Sequence, residues 1–396
     1  MAYPRLIVSP SAAKRIPHHD CWVFRDELVN PPSSLESGAV VELTDDHHTR
    51  LAVAFYSARS HIAARVISGE RARMVDRDLF SSRLRSAIAR RAAIEGTNAK
   101  RLVFGEADGL PGLIVDQYAD VVVLQIRIPG LEPWRPVLVE LLQEQLHPAG
   151  ILERSDKEFR EEEGLPPVVQ VLSGRVPERV EIQEDGLRFL VEPQHGHKTG
   201  FYLDQRETRR AVRELIQPGD RVADVFAYTG AFGIGAASRG AAVTCVEQNE
   251  RFLALAKEHA SLNGVVPQLS FVSGDAFYWL EAKAKSSERF DWVLLDPPSL
   301  AKSKTEMLKG RQALHRLLVH ALELLSPRGT LVLSVCTYHL LELTEEILRI
   351  AAAERGLRLA ITGRSMQAPD HPWVLQMPMT RYLMTWMARR DALSPG

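Results

Sequence analysis

Cysteine is scarce in this chain of 396 residues: Cys21, Cys245 and Cys336 stand alone and far apart. Three thiols so placed exclude a disulfide framework, and no two have metal-ligand spacing, so no metal is expected. A reducing cytoplasm is the natural compartment. Long apolar runs are missing too, which argues against a membrane partner. The first residues, Met1-Ala-Tyr-Pro-Arg-Leu-Ile-Val8, lack the apolar stretch of a signal peptide. Charge of one sign is also lacking. The formal net charge is −1, so the whole molecule is not a polycation. No internal repeat or low-complexity tract is visible.

What is present describes an ordinary globular protein: 45% hydrophobic and 25% charged residues. The length suits two or three domains. Charge is unevenly spread. Residues 59–101 hold 11 Lys/Arg against 4 Asp/Glu, a net of +7; residues 132–192 hold 7 against 14, a net of −7. The basic stretch could face phosphates, with Arg83, Arg85, Arg90 and Arg91 as candidate contacts, or be a solvated helix surface.

Residues 1–72 read as short strands: Arg5–Val8, Ala39–Leu43, Leu51–Tyr56 and Ile62–Ile67. Turn residues separate them, among them Asn30-Pro-Pro-Ser-Ser. Strands of this spacing suggest a small β-barrel. A helix is expected from Asp78 to Glu95, with Phe80, Leu84, Ile88 and Ala92 as its apolar stripe and Gly96 ending it. Residues 73–190 look like a mixed α+β segment. Its strands are Leu102–Phe104, Gly112–Asp116 and Val121–Ile126, its helix Trp134–Leu146, and Lys157–Pro167 is a loop. Residues 191–396 alternate strands and helices. The strands are Arg221–Phe226, Ala242–Glu247, Leu269–Val272, Trp292–Leu295 and Thr330–Val335. The helices are Phe232–Arg239, Arg251–Asn263 and Arg311–Leu325. This alternation predicts a doubly wound α/β sheet, with strand ends gathered on one rim.

That rim carries the chemistry. Asp224-Val-Phe226-Ala-Tyr228-Thr229-Gly230 leaves the first strand and opens a helix. Gly230 permits close approach of a ligand, and a helix start offers unpaired N–H groups. Glu247 ends the next strand, where an acid can accept from both ribose hydroxyls. Asp275 ends the third and could meet an adenine amino group. Aromatic residues fill the loop where G-x-G-x-x-G would cradle a pyrophosphate, so a nicotinamide dehydrogenase is disfavoured. Three acids on successive strand ends point to S-adenosylmethionine. Asp224 could instead merely cap the next turn.

Two further strand ends carry Asp296-Pro297-Pro298 and Cys336. A carboxyl and a thiol on adjacent strand ends could grip one flat pyrimidine. Thiolate addition at C6 makes cytosine C5 nucleophilic, and a proton at N3 takes up the charge. Cys336 would be the nucleophile and Asp296 the group at N3. Pro297 and Pro298 would aim carbonyls at the base amino group and let the base stack. Alternatively, Cys336 is a small hydrophobic filler. Gln194-His-Gly-His-Lys-Thr-Gly-Phe-Tyr-Leu-Asp-Gln-Arg206 reads as a loop closing over cofactor or RNA, with Asp204 and Arg206 as cofactor-binding candidates.

The Gln194–Arg206 run, Phe226-Ala-Tyr-Thr-Gly-Ala-Phe232, Asp296-Pro-Pro298, Asp370-His-Pro372 and Arg101–Asp116 resemble the bacterial 23S ribosomal RNA cytosine-C5 methyltransferase family over nearly the full length. The resemblance implies an N-terminal PUA RNA-binding domain, a central domain and a class I methyltransferase domain. It also implies 23S ribosomal RNA as partner, S-adenosylmethionine as donor and Cys336 as nucleophile. Val335-Cys336-Thr337 stands where Ser-Cys-Ser is common in that family. Two alternatives remain open: a guanine N-methyltransferase using the Asp-Pro-Pro turn without a thiol, and a non-catalytic RNA-binding ribosome assembly factor. The sequence is silent on oligomeric state and leaves a homodimer open.

Overall fold

The computed structural model describes residues 3–29, 34–69, 74–156, 160–301 and 303–391. The expected turn at 30–34 lies outside them but for its last residue, as do 157–159 of the expected loop. The chain divides into two compact units. One comprises Met1–Ile182, Val191–Leu203 and Pro369–Thr380; the other comprises Gln183–Leu190, Asp204–Ala368 and Arg381–Gly396.

The first unit opens with five short strands: β1 (Arg5–Ile7), β2 (Trp22–Phe24), β3 (Val40–Thr44), β4 (Arg50–Tyr56) and β5 (Ile62–Ser68). They pair in the order β1-β3-β4-β5-β2. Val23, Val41, Leu43, Ala52, Ala54 and Ala64 form the dry interior. β2 escaped the sequence reading because three residues give no alternation to read. A second sheet follows, built from β6 (Ala99–Phe104), β7 (Leu113–Tyr118), β8 (Val121–Ile126), β9 (Gly150–Ser155) and β10 (Val168–Gly174), in the order β10-β9-β8-β7-β6.

The helix before β6 spans Arg77–Arg90, and the Asp76 side chain caps it by accepting from Leu79 N–H at 2.9 Å. It ends earlier than expected. Arg91 N–H already bonds Ile88 O in a tighter turn. The buried face of this helix is Leu79, Phe80, Leu84 and Ala87, packed with Leu138, Leu141 and Leu142 of the helix Arg135–Leu146. Each leucine and Phe80 contributes about 1.5–3 kcal/mol on leaving water. Leu79, Ala87 and Arg91 are therefore buried alongside Phe80 and Leu84 of the expected stripe.

A hairpin follows, β11 (Val180–Glu184) and β12 (Leu187–Val191). The second unit is then a seven-stranded sheet of β13 (Arg221–Val225), β14 (Ala242–Glu247), β15 (Leu269–Ser273), β16 (Phe290–Leu295), β17 (Leu325–Val335), β18 (Leu359–Met366) and β19 (Met384–Arg390). Its order is β15-β14-β13-β16-β17-β19-β18. Strands β13 to β17 are parallel, and β19 runs against both neighbours. The expected doubly wound sheet is thus observed, with an antiparallel edge. The chain builds outward through β14 and β15, then returns to the other side of β13. That reversal is a switch point, where parallel sheets open a ligand crevice. Leu314, Leu317, Leu318, Ala321 and Leu322 of the helix Met307–Glu323 pack against Val293, Leu295, Leu331 and Leu333 of β16 and β17. This holds the strand ends carrying Asp296 and Cys336 side by side.

Candidate active site

The loop after β13 bends sharply. Phe226, Tyr228 and Gly230 all have left-handed backbone, at φ 65°, 51° and 76°. Two non-glycine residues in that region cost energy, which surrounding bonds must offset. Ala227 N–H bonds Val246 O at 3.0 Å and Gly230 N–H bonds Ala227 O at 2.8 Å. Glu247 closes the corner: one oxygen accepts from Tyr228 N–H at 3.0 Å, the other from Asn249 N–H at 2.8 Å. The aromatic rings are braced edge-on, Phe226 against Phe277 and Tyr228 against Phe252. Thr229 is buried, and its hydroxyl oxygen has no hydrogen-bond partner.

Asp275 caps the helix Ala276–Ala284, one oxygen accepting from Phe277 and Tyr278 N–H at 2.8 and 3.2 Å. Asp224 behaves differently from the sequence expectation. It is buried mid-rim, where Oδ2 accepts from Gly233 N–H at 2.8 Å. The Cys245 thiol leans on the same oxygen at 3.9 Å. Burial, then the nearby Asp296 and Glu247 carboxyls, push Asp224 up to about 7 against the Gly233 hydrogen bond. Asp224 is thus a helix-start brace rather than a ligand-facing acid. Its packing explains Gly233: a Cβ there would lie 2.6 Å from Cys245 Sγ and 3.0 Å from Asp224 Oδ2.

Asp296 follows β16, with Pro297 buried and Pro298 exposed. Its Oδ2 accepts from Gln205 Nε2 at 3.1 Å. Cys336 follows β17 and is partly exposed, unlike buried Cys245. Its Sγ points at Pro297 O, 3.8 Å away. The Ser299 and Thr337 hydroxyls meet at 2.9 Å and tie the two strand ends together. Cys336 and the Asp-Pro-Pro turn are therefore brought together, as the sequence predicted.

Asp204 and Arg206 are buried. Asp204 Oδ2 accepts from Tyr382 OH at 2.6 Å and its carbonyl from Ala368 N–H at 2.8 Å, so it anchors the chain. Arg206 Nε reaches Glu207 at 3.4 Å. The basic helix is likewise corrected. Arg91 is 2% exposed and forks onto both oxygens of Asp108 at 2.7 Å. Arg90 pairs with the same carboxylate, and Arg83, whose charge burial disfavours, donates to Gly109 O. Arg91 has no surface to offer RNA; Arg85 is exposed. Among the described residues no cluster of side chains could hold a metal ion, and no helix is long and apolar enough to cross a membrane.

Residues 161–375 match the model of an S-adenosylmethionine-dependent methyltransferase, and residues 6–69 match a PUA-like domain. The chain belongs to the S-adenosylmethionine-dependent methyltransferase family. It is 32% identical over 394 residues to "Ribosomal RNA large subunit methyltransferase I" of Klebsiella pneumoniae, covering 98% of each chain. It is 33% identical to the protein of that name from Shewanella amazonensis, covering 97% of this chain and 99% of that one. In fold it matches a methyltransferase from Streptococcus mutans with a TM-score of 0.84 at 22% identity, covering 98% of this chain and all of that one. A second structure, SMU.776 complexed with SAH, matches with a TM-score of 0.85, also at 22% identity and with the same coverage. This methyltransferase thus joins an N-terminal PUA-like domain to a class I sheet, with S-adenosylmethionine as cofactor. The loop fits that cofactor: it offers the unsatisfied Thr229 hydroxyl, and Glu247 is positioned by two backbone N–H groups rather than by a cation.

Gln205 is the site residue that sequence reasoning missed. It lay inside the Gln194–Arg206 run without a spacing rule to single it out. Only the fold brings it to a residue 91 positions away.

Proposed function

We propose that this methyltransferase modifies C5 of a cytosine in large-subunit ribosomal RNA through a covalent bond from Cys336 to C6. The observation that carries it is the thiol of Cys336, half-exposed at a strand end and 3.8 Å from Pro297 O beside Asp296. An N-methyltransferase has no use for a thiol there. The two named relatives, alike over nearly their whole length, support ribosomal RNA as the substrate.

Glu247 and the Phe226–Gly230 loop would hold the nucleoside half of the cofactor, with Asp275 near the adenine. Bound there, S-adenosylmethionine supplies an electrophilic methyl on a sulfonium. Cys336 would lose its proton to solvent water, and its thiolate would add to C6, moving an electron pair through the ring to N3. Asp296 donates the proton that N3 takes up. C5, made nucleophilic by the Cys336 adduct, would then take the methyl group that the bound cofactor supplies, with S-adenosylhomocysteine as the leaving group. Loss of the C5 proton to solvent water and of the thiolate from C6 would restore the ring, and Asp296 would recover its proton from N3. Pro297 and Pro298 would wall the base. The PUA-like domain and Arg85 are the proposed RNA contacts.

The test is RNA carrying 5-fluorocytidine, incubated with enzyme and cofactor. The fluorine blocks the last step, so a denaturant-resistant protein–RNA adduct is expected, absent in Cys336→Ala. If Cys336→Ala still methylates natural RNA, the covalent reading is wrong and transfer to a guanine nitrogen takes its place.

A further inference from the structure

We propose that Gln205 is the positioning residue for Asp296, holding its carboxyl in place whether ionised or protonated. This rests on the reaction proposed above, in which that carboxyl must both give and regain a proton.

The geometry begins with a fixed platform. The turn Leu203–Gln205 leads into the helix Arg206–Leu215. Just before Gln205, Asp204 is bolted to Tyr382 OH and Ala368 N–H. Just after it, Thr208 shares a 2.8 Å hydroxyl contact with Ser365. Tyr382 and Leu383 N–H in turn both bond Gln367 Oε1. From this base the Gln205 side chain, 2% exposed, reaches Asp296 Oδ2 at 3.1 Å.

A buried amide is a pointed choice of partner. Arginine or lysine would lock Asp296 as the anion, because both can only donate. An amide offers N–H on one side and C=O on the other. Nε2 donates to the ionised carboxylate; turned over, Oε1 accepts from the protonated carboxyl. Oε1 is buried and has no other hydrogen-bond partner. No competing bond to Oε1 resists the rotation, and an unpaired buried acceptor gains by finding a donor. The surrounding acids make this useful. Asp296 lies close enough to Asp224 to raise it, and Glu247 adds to that field. A second anion in place of Gln205 would crowd the group.

The experiment uses the full-length chain with Gln205→Met, which keeps volume and removes both polar atoms, and Gln205→Glu. Three quantities are read: kcat and KM against pH, S-adenosylmethionine affinity, and the Asp296 carboxyl titration by carbon-13 NMR, assigned with Asp296→Asn. Gln205→Met is expected to lower kcat about 10- to 100-fold with cofactor affinity unchanged, the range general acid–base groups supply. It should also raise the Asp296 titration point, since the carboxylate loses a donor. Gln205→Glu should recover activity as pH falls, when two neighbouring carboxyls share a proton. Wild-type kcat, pH profile and Asp296 titration in Gln205→Met would overturn the assignment. So would a Gln205→Met loss of kcat matched by lost cofactor affinity and an unmoved titration, which marks a packing role. The titration needs no RNA. A shifted Asp296 with no 5-fluorocytidine adduct in the wild type keeps the positioning role and rejects the cytosine reading; an adduct with an unshifted Asp296 does the reverse.

Discussion

Buried acids of the first unit and acids on the sheet rim of the second are satisfied in different ways. In the first unit Asp108 meets Arg91 and Asp116 meets Arg101, each through two parallel bonds of 2.7 Å, all four residues buried. On the rim of the second unit, Asp224, Glu247 and Asp275 are met by backbone N–H groups. A guanidinium fork brings a full opposite charge to both oxygens of a carboxylate. A peptide N–H orients the carboxylate and leaves its charge. The first arrangement glues distant segments: Arg91 also donates to Asp370 O, and Arg101 N–H to Asp370 Oδ2, across some 270 positions. The second fixes Glu247 and Asp275 at loop and helix starts without a cation, and makes Asp224 the brace of the helix start. Counting charged residues in sequence treats the two alike.

The contrast can be broken or sharpened by mutation. The largest effect is expected from Asp108→Ala, which strands Arg91 in the interior. It should cost about 3–5 kcal/mol in denaturant melts, the usual penalty for half a buried pair. A loss below about 1 kcal/mol would show that the pair is solvated after all. Glu247→Gln should leave the melt nearly unchanged yet weaken S-adenosylmethionine binding about tenfold, or ~1.4 kcal/mol, by calorimetry. Unchanged affinity would remove Glu247 from the cofactor site. Asp224→Asn tests the raised carboxyl. A group near 7 folded and 3.8 unfolded binds more protons when folded, so its stabilising effect is full at acid pH and fades as pH rises to about 7. The wild type should therefore lose stability over that window relative to Asp224→Asn, measured as melting temperature against pH. A constant difference would mean that Asp224 is ionised throughout. The smallest effect is Arg85→Glu, which should lower the salt slope of RNA binding by about one unit. An unchanged slope would take Arg85 off the RNA surface.

How much was legible follows the same divide. Central strands were readable as largely apolar runs: β8, in the first unit's sheet, and β14, in the second's, match their predicted bounds residue for residue. In the second sheet the neighbouring strands β16 and β17 bring Asp296 beside Cys336. What failed was polar or irregular. β9 is wholly buried yet contains Glu153 and Arg154, with Glu153 bonded to Arg135 at 2.8 Å, so it did not look like a core strand. β10 and β18 are edge strands with much exposed surface and weak alternation, and β19 pairs antiparallel between β17 and β18. Arg83 and Arg91 were read as surface charges because sequence shows a cation but not the carboxylate or carbonyl waiting for it. Gln205 has the same lesson in neutral form.

The hydroxyl clasp between Ser299 and Thr337 has one more consequence. Either oxygen can be the donor, so the bridge survives reversal of its polarity. It joins the proline turn to the thiol loop in the chain by itself. The entropy of assembling sulfur and carboxyl is settled in advance. In the proposed reaction, adhesion between protein and RNA would then be left for prising a single base from its stacked neighbours.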